Sequence, residues 1–440
     1  MKEKTSTGKK EAGFLYGVDE RPPWALLFFY GLQWFFMLFP ALLTAVTLCD
    51  HAFSFSTDDR IRFVQLTFII SGAFTIVQSL WGHGYPVLEG PATAHLLTVL
   101  FLAPLGVSSV QGGMVFCGAV LSLWALILRT SQVRRFFTPN VVVVILMLIA
   151  FSLLPHLIAD LTGQNGPSGR PGWVTFSASL LVVLGTALLS ERMKGYFRSF
   201  AMLVGIVGGT FIFLILDLIP KGESDFAPFL LLPGLWTDVN MRFPPMALVS
   251  CLVSYAAVVV NTMGSLAGLA SVLSERESSL NKRLRRCLFL NGLSGIVCGI
   301  TGTVGLVSYG ISPGMVAMQR VASRYVATTC GVIALVLGFL PRIAFLCSLV
   351  PPAVVAAVLC AALGSQVAAA FKMARENYRA VRDTTVIGIS VVVGLLVALM
   401  PERIAMEAPG WIRLFLKNSL VSGILVALLL EHLVVKSGES

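Results

Sequence analysis

The segment GHGYPVLEGPATAHLLT, residues 82–98, interrupts a long apolar region with glycines and prolines. A second segment, TVGLVSYGISPGMVA, covers residues 303–317 and is interrupted in the same way. Proline lacks the N–H that a helix interior needs, and glycine lowers helix stability by about 1 kcal/mol relative to alanine. We therefore predict that each segment is a broken helix whose backbone N–H and C=O groups are available to a ligand.

The composition places the chain in a lipid bilayer. Of 440 residues, 56% are hydrophobic and only 12% are charged, whereas about 25% are charged in soluble proteins. Apolar runs of around 20 residues recur along the chain, which is the length that a helix needs to cross about 30 Å of hydrocarbon. This pattern excludes a soluble protein and predicts an all-α polytopic membrane protein. The net charge of +10 is attributed to loops at the membrane surface, and no nucleic-acid partner is expected.

The apolar runs predict fourteen transmembrane segments, with the interrupted ones as the third and the tenth. If the amino terminus is cytoplasmic, 23 of the 32 Lys and Arg residues fall on the cytoplasmic side and 9 on the outer side. The positive-inside rule favours this orientation. We expect a multi-pass protein of the cell inner (plasma) membrane with both termini in the cytoplasm.

The longest predicted outer connection, residues 220–243, separates two sets of seven segments. An odd number of segments per half gives the two halves opposite topology, as in many secondary transporters. The interrupted segments then take the third position of each half, and such a pair indicates a substrate site. The alternative is that these glycines and prolines only kink or closely pack the helices.

Glu89 is the only carboxylate between Asp59 and Asp160, and it lies in the first interrupted segment. An ionisable group inside a bilayer costs about 3 kcal/mol or more, so Glu89 is a candidate for substrate binding or proton coupling. It could instead cap the amino terminus of a half-helix, where a carboxylate is also favourable. His95 is a second coupling candidate, although a single intramembrane histidine can simply hydrogen-bond a neighbouring helix.

The second half of the chain offers neutral polar groups in place of acids. No Asp or Glu occurs between Glu277 and Glu376, or in the eighth segment from residue 244 to 273. Asn261 and Ser265 are four residues apart in that segment, hence on one helical face. An amide donates and accepts hydrogen bonds at once, which suits the edge of a cyclic amide ligand, but it can also merely join two helices.

Two stretches resemble the nucleobase-ascorbate transporter family, in its uracil/xanthine permease group. The first is YGVDERPP at residues 16–23, followed by GLQ at 31–33. The second runs from Asn281 to Gly299 and continues as YGISPG at 309–314 and RVASR at 320–324. The resemblance covers nearly the whole chain in segment number, interruptions and loop charge, although no single motif is intact. The chain is identified as a divergent member of the family.

This resemblance implies a 7+7 inverted repeat in which the broken third and tenth helices carry short strands. It implies a mobile core of segments 1–4 and 8–11, and a gate of segments 5–7 and 12–14, often paired as a homodimer. The implied boundaries are 1–21 for the cytoplasmic amino-terminal tail, 22–131 and 244–340 for the core, 132–243 and 341–435 for the gate, and 436–440 for the cytoplasmic carboxy-terminal tail.

The activity that the resemblance implies is uptake of a small-molecule nucleobase, such as uracil, xanthine or a related purine or pyrimidine. Proton symport is expected, with an elevator-like motion of the core against the gate. A carboxyl group desolvated at Glu89 can hold a proton at neutral pH because burial disfavours its ionised form. No cofactor or metal is expected, since the eight cysteines and five histidines show no metal-ligand spacing.

Several residues that hold the substrate in the family are replaced here. Asn261 takes the place of a glutamate in the eighth helix, Ile311 that of an acid or glutamine in the tenth, and Thr93 that of an aromatic residue in the third. Glu89 appears where the family is apolar, so we predict that it has taken over recognition or coupling from across the site. The predicted substrate-binding residues are Glu89, Thr93, Asn261, Ser265, Gly310, Ile311 and Ser312.

Other functions are weighed against this one. The sequence does not distinguish a proton symporter from a sodium-coupled transporter or from a facilitator. An anion transporter of the sulfate permease architecture often has a serine at the tenth-helix break, as Ser312 is here, but Glu89 would repel an anion. An enzyme is not expected, because the histidines are scattered and no HExxH, GxSxG or GxxxxGK[ST] motif occurs.

Overall fold

The computed structural model describes residues 14–127, 138–164, 172–193, 200–218, 234, 241–275, 277–342, 347, 350–377, 381–409, 412 and 419–434. Within these residues, eight helices are long and apolar enough to cross a membrane, and four shorter apolar helices accompany them. The protein is therefore a helical multi-pass membrane protein. The predicted tail 436–440 and most of the outer connection 220–243 lie outside the described residues.

The first half of the chain contains helices α1 to α7 and strand β1. These are α1 (Trp24–Phe53), α2 (Thr57–Leu80), β1 (Glu89–Pro91), α3 (Thr93–Leu102), α4 (Val107–Ile127), α5 (Pro139–Leu161), α6 (Gly172–Arg192) and α7 (Ala201–Ile215). Local signals set some of these boundaries. The hydroxyl of Ser56 accepts a hydrogen bond from the Asp59 N–H and caps α2, and Thr138 caps α5 in the same way.

The second half contains helices α8 to α15 and strand β2. These are α8 (Pro245–Val272), α9 (Glu277–Thr301), β2 (Leu306–Ser308), α10 (Ser312–Gln319), α11 (Arg324–Gly338), α12 (Pro352–Asn377), α13 (Val381–Ala398), α14 (Glu402–Glu407) and α15 (Ser419–Leu429). The apolar run that starts at residue 288 predicts the ninth segment from that point, but α9 already begins at Glu277. Its first turns carry charged residues, which hydropathy alone assigns to a loop.

Each interrupted segment contains a three-residue strand followed by a short helix. Strands β1 and β2 pair in antiparallel register, with Glu89 opposite Ser308 and Pro91 opposite Leu306. The ladder is extended at one end by the Ala92 N–H, which donates to the Gly305 carbonyl at 2.8 Å. Helix α3 begins after β1 at the Pro91/Leu306 end of the ladder, and α10 begins after β2 at the Glu89/Ser308 end, so the two short helices start at opposite ends of the strand pair.

Because side chains alternate along a strand, the pair has two faces with different neighbours. On one face, Leu306 packs against Leu66 and Ile70 of α2 and Cys298 of α9. On the opposite face, Val307 contacts Val258 of α8. We call these the α2/α9 face and the α8 face.

Glycines bring helices from the two halves of the chain into close contact. A β-carbon at Gly72 of α2 would lie 2.5 Å from the carbonyl oxygen of Gly331 in α11. A β-carbon at Gly118 of α4 would lie 2.7 Å from the carbonyl oxygen of Gly292 in α9. Small residues at these crossings allow the backbones to approach, as is common between membrane helices.

Gly72→Ala is expected to lower the stability by about 1–3 kcal/mol, because the new methyl group meets backbone atoms that cannot rotate away. Gly185→Ala in α6 is the matched control, since nothing lies within 4 Å of its added β-carbon. The melting temperature of each purified variant in detergent measures the effect. An unchanged melting temperature for Gly72→Ala would contradict the α2–α11 packing.

Candidate functional site

Glu89 is fully buried, and its carboxylate lies on the α2/α9 face of the strand pair. Ser308 Oγ donates a hydrogen bond to Glu89 Oε1 at 2.5 Å, and His83 Nε2 lies 3.5 Å from the same oxygen. Cys287 Sγ lies 3.3 Å from Ser308 Oγ. The Glu89 N–H donates to Thr75 Oγ1 at 3.1 Å. The second carboxylate oxygen, Oε2, has no hydrogen-bond partner within the described part of the chain.

Three of these residues carry atoms of the kind that bind metals. The ligand atoms of His83, Glu89 and Cys287 lie within 4.8 Å of one another, and all three residues are buried. However, the hydroxyl of Ser308 contacts both Glu89 Oε1 and Cys287 Sγ. We therefore describe the group as a hydrogen-bonded cluster and call it the Glu89 cluster (His83, Glu89, Cys287 and Ser308).

A network of buried amides holds the helices around this cluster. Gln78 Nε2 donates to the Cys287 carbonyl at 3.0 Å and to Asn291 Oδ1 at 2.7 Å. Asn291 Nδ2 in turn donates to Thr262 Oγ1 at 3.0 Å. The network joins α2, α9 and α8. Sequence reasoning missed it, although two amides within apolar runs are a signal that it could have used.

The α8 face carries a second polar group. Ser265 Oγ donates to the Ser308 carbonyl at 2.8 Å and to the Asn261 carbonyl at 2.8 Å. A β-carbon at Gly310 would lie 3.4 Å from Ser265 Oγ and 3.8 Å from Asn261 Oδ1. Gly310 and Ile311 are exposed, and no partner of their N–H groups is found among the described residues. Exposed donors, a side-chain amide and a hydroxyl therefore converge here.

The remaining predicted residues lie at different depths. Ser312 is fully buried, and its hydroxyl accepts a hydrogen bond from the Leu88 N–H at 3.2 Å. Thr93 is half-buried at the first residue of α3. His95 is also fully buried, with Nδ1 at 2.8 Å from Ser254 Oγ and its ring centroid 4.4 Å from that of Tyr255.

Taken residue by residue, the structure brings Asn261, Ser265 and Gly310 together on the α8 face, with Ile311 next in the chain. Glu89 lies on the opposite face of the strand pair. The two groups meet at Ser308, whose hydroxyl contacts Glu89 and whose carbonyl accepts from Ser265.

A cavity of about 350 Å³ lies beside this site, between α8 and α9 on one side and α5 and α12 on the other. Val260 and Gly264, which flank Asn261 along α8, belong to its wall. The other lining residues are Pro139, Val142, Met263, Ala267, Leu280, Asn281, Leu284 and Met373. Cavities of this size accommodate small organic ligands. Sequence reasoning missed it, because apolar cavity walls resemble any other membrane helix.

Membrane-spanning helices around a pair of interrupted segments are typical of many secondary transporters. A family model described as "Permease family" matches residues 26–403. The chain belongs to this permease family, which confirms the resemblance to uracil and xanthine permeases noted in the sequence.

Relatives are similar along nearly their full length. The nucleobase transporter PlUacP of Paenibacillus larvae is 25% identical, with 92% of this chain and 93% of that protein covered. The xanthine permease XanP of Escherichia coli (strain K12) is 24% identical, with 95% of this chain and 94% of that protein covered.

Solved structures have the same fold at lower identity. The transmembrane domain of the cyanobacterial bicarbonate transporter BicA is 16% identical, with 85% of this chain and 97% of that chain covered and a TM-score of 0.60. The murine Slc26a9 anion transporter in its inward-facing state is 12% identical, with 94% of this chain and 68% of that chain covered and a TM-score of 0.55.

Proposed function

We propose that the protein is a secondary active transporter that takes up a nucleobase, such as uracil, xanthine or a related purine or pyrimidine, across the plasma membrane by proton symport. The relatives named above carry nucleobases or xanthine by name. The observation on this chain that carries the proposal is the convergence of Asn261, Ser265 and the exposed N–H groups of Gly310 and Ile311 on the α8 face.

A nucleobase edge alternates carbonyl oxygens and N–H groups, and this site offers the complementary set. The N–H groups at the start of α10 are donors at a helix amino terminus, where partial positive charge favours a carbonyl oxygen. Asn261 supplies a donor and an acceptor on one amide. Thr93, at the start of α3, adds a hydroxyl from the other short helix. Ser265 fixes the end of β2 and so positions Gly310.

Glu89 and Ser312 enter this proposal in roles other than direct ligand contact. Ser312 is buried beneath the site and satisfies the Leu88 N–H, which supports the backbone of the first interrupted segment. Glu89 is the proposed proton site. We favour Glu89 over His95 as the coupling residue, because His95 Nδ1 is already paired with Ser254 Oγ.

Binding of the ligand tests the substrate class directly. We expect uracil, xanthine or hypoxanthine to raise the melting temperature of the purified protein, because a ligand that binds only the folded state stabilises it. Asn261→Ala should abolish that increase. Bicarbonate and sulfate are the comparison ligands. Stabilisation by these anions and by none of the bases would favour the anion transporter and contradict the proposal.

The proposed architecture is a 7+7 inverted repeat, with a core of residues 22–131 and 244–340 and a gate of residues 132–243 and 341–435. Packing supports this division, since α2 contacts α11 and α4 contacts α9 within the core. Within the gate, Gln366 Nε2 of α12 donates to the Leu146 carbonyl of α5 at 2.9 Å. The exposed apolar faces of α6, α7 and α13 are available to lipid and to a second subunit in a homodimer.

One polar contact joins the two parts at the end opposite the cavity. His51 Nδ1 of α1 lies 2.8 Å from Asp160 Oδ1 of α5, and the Asp160 side chain is 2% exposed. In the orientation that the basic residues favour, this contact is on the outer side and the cavity opens toward the cytoplasm. The arrangement supports an elevator-like motion in which the core slides along the gate and this contact breaks.

Cross-linking across this contact tests the motion. In the double variant His51→Cys, Asp160→Cys, a short thiol cross-linker should abolish uptake, because the core can no longer move relative to α5. The control pair is Ser79→Cys with Thr328→Cys, which joins α2 and α11 inside the core, where the native hydroxyls are 2.9 Å apart. Undiminished uptake by the cross-linked His51/Asp160 variant would refute the elevator.

The Glu89 cluster suits a site that gains and loses a proton. Serine can donate to a carboxylate or accept from a carboxylic acid, so Ser308 satisfies Glu89 Oε1 in both states. The same residue accepts from Ser265 through its carbonyl, so a change at Glu89 reaches the end of β2 beside Gly310. This is the proposed route by which proton binding and nucleobase binding influence each other.

Glu89→Gln is expected to bind the base but to lose accumulation driven by a pH gradient, since an amide cannot exchange a proton in this range. Uptake of the radiolabelled base into proteoliposomes, with and without a pH gradient, measures this. Ser294→Ala is the control, because its buried hydroxyl bonds only within its own helix, to the Asn291 carbonyl. Undiminished, still pH-dependent accumulation by Glu89→Gln would exclude Glu89 as the coupling site.

A further inference from the structure

His83 lies in the loop between α2 and β1 and has a fixed tautomer. Its side chain is fully buried, and Nδ1 accepts a hydrogen bond from the Tyr85 N–H at 3.0 Å. A neutral imidazole has one nitrogen that accepts and one that donates, so Nε2 carries the proton. Nε2 lies 3.5 Å from Glu89 Oε1, slightly beyond ordinary hydrogen-bond length, and has no hydrogen-bond partner in the described ranges. The main chain thus makes His83 a donor aimed at Glu89.

Contacts among Arg283, Tyr85 and Glu275 hold the loop that carries His83. Arg283 Nη1 of α9 donates to the His83 carbonyl at 2.7 Å, and its guanidinium lies 4.3 Å from the ring centroid of Tyr85. The Tyr85 hydroxyl donates to Glu275, which also accepts from Arg283 Nε at 3.2 Å. Gly84 has a φ of +64°, a left-handed conformation that glycine adopts without strain. The loop therefore cannot easily turn His83 away.

Few other charged or titratable groups face Glu89 and His83. Cys287 of α9 is the titratable group beside Ser308, and Tyr309 follows β2 on the opposite face. Three charged residues lie beside the loop. Arg283 and Glu275 pair with each other and are partly exposed, at 29% and 22%. Arg324 of α11 lies near Gly84 and pairs with Asp19. After Ser308 Oγ, His83 Nε2 is the donor nearest to the Glu89 carboxylate among these groups.

We propose that His83 is a positioning residue that sets the pH at which Glu89 exchanges its proton, an inference that rests on the proposed coupling role of Glu89. The Nε2–H group favours the ionised carboxylate, whereas burial favours the protonated acid. With His83 in place, Glu89 releases its proton at a lower pH than it would without this donor. Without it, the carboxyl group holds its proton to higher pH.

Infrared titration of the purified protein tests this without any transport assay. The carboxylic acid C=O band of a buried glutamate disappears as it ionises, and Glu89→Gln identifies which part of that band belongs to Glu89. In His83→Leu, the midpoint of this band should move to higher pH by about one unit, which is a tenfold gain in proton affinity. His83→Gln, whose amide N–H can replace Nε2–H, should restore most of the original midpoint. It also reports on the site if His83→Leu does not fold.

His95→Leu is the matched control, because it removes a histidine that is equally buried but paired with Ser254. It should leave the midpoint unchanged. An unshifted midpoint in both His83 variants, or a shift in His95→Leu alone, would overturn the inference while Glu89 remained a proton site. If Glu89→Gln removes no titrating band, the proposed coupling role fails, and the inference fails with it. Nucleobase binding, measured by melting temperature, stays a separate question in either case.

Discussion

A peptide group that lacks a hydrogen-bond partner inside a bilayer costs several kcal/mol, and this constraint governs both interrupted segments. The antiparallel pairing of β1 with β2 satisfies it for the residues between the loops and the short helices. At the Glu89/Ser308 end of the ladder, the Tyr309 N–H donates to the Leu88 carbonyl, and the Leu88 N–H donates to Ser312 Oγ. With these groups satisfied, the next N–H groups, at Gly310 and Ile311, are left for a ligand. The proposed nucleobase site uses these two N–H groups, which lie just beyond the end of β2.

Much of this architecture could be predicted from the sequence, because the patterns that indicate it are formed by residues close together in the chain. Glycine and proline mark the two interruptions, apolar length marks the helices, and the four-residue spacing of Asn261 and Ser265 places them on one side of α8. Glu89 was also correctly singled out as a buried ionisable residue. In each case the property depends on residues that are close in sequence, so no knowledge of the tertiary structure was needed.

The direction of the Glu89 side chain could not be predicted in this way. It depends on the register of β1 against β2, whose partners are more than two hundred residues apart in the chain, and a slip by one residue would turn Glu89 to the α8 face. The contacts of His83, Gln78 and Asn291 could not be predicted for the same reason. They form between residues that are far apart in the sequence, such as Gln78 of α2 and Asn291 of α9. The fold alone would not have helped with function, because the solved structures that share it are named for bicarbonate and anion transport.

The two-sided strand pair has a consequence for how such proteins diverge. Helix α8 is connected to the Glu89 cluster through Ser308, whose carbonyl accepts from Ser265, and through Asn291, which joins Thr262 to Gln78. A substitution of the Asn261 side chain leaves both of these connections in place. Under the proposal made above, substitutions that change the substrate and substitutions that change proton coupling therefore fall on different residues. In the proposed transporter, Asn261 and Ile311 replace acids of the eighth and tenth helices, and Glu89 on the α2/α9 face remains as the coupling carboxylate.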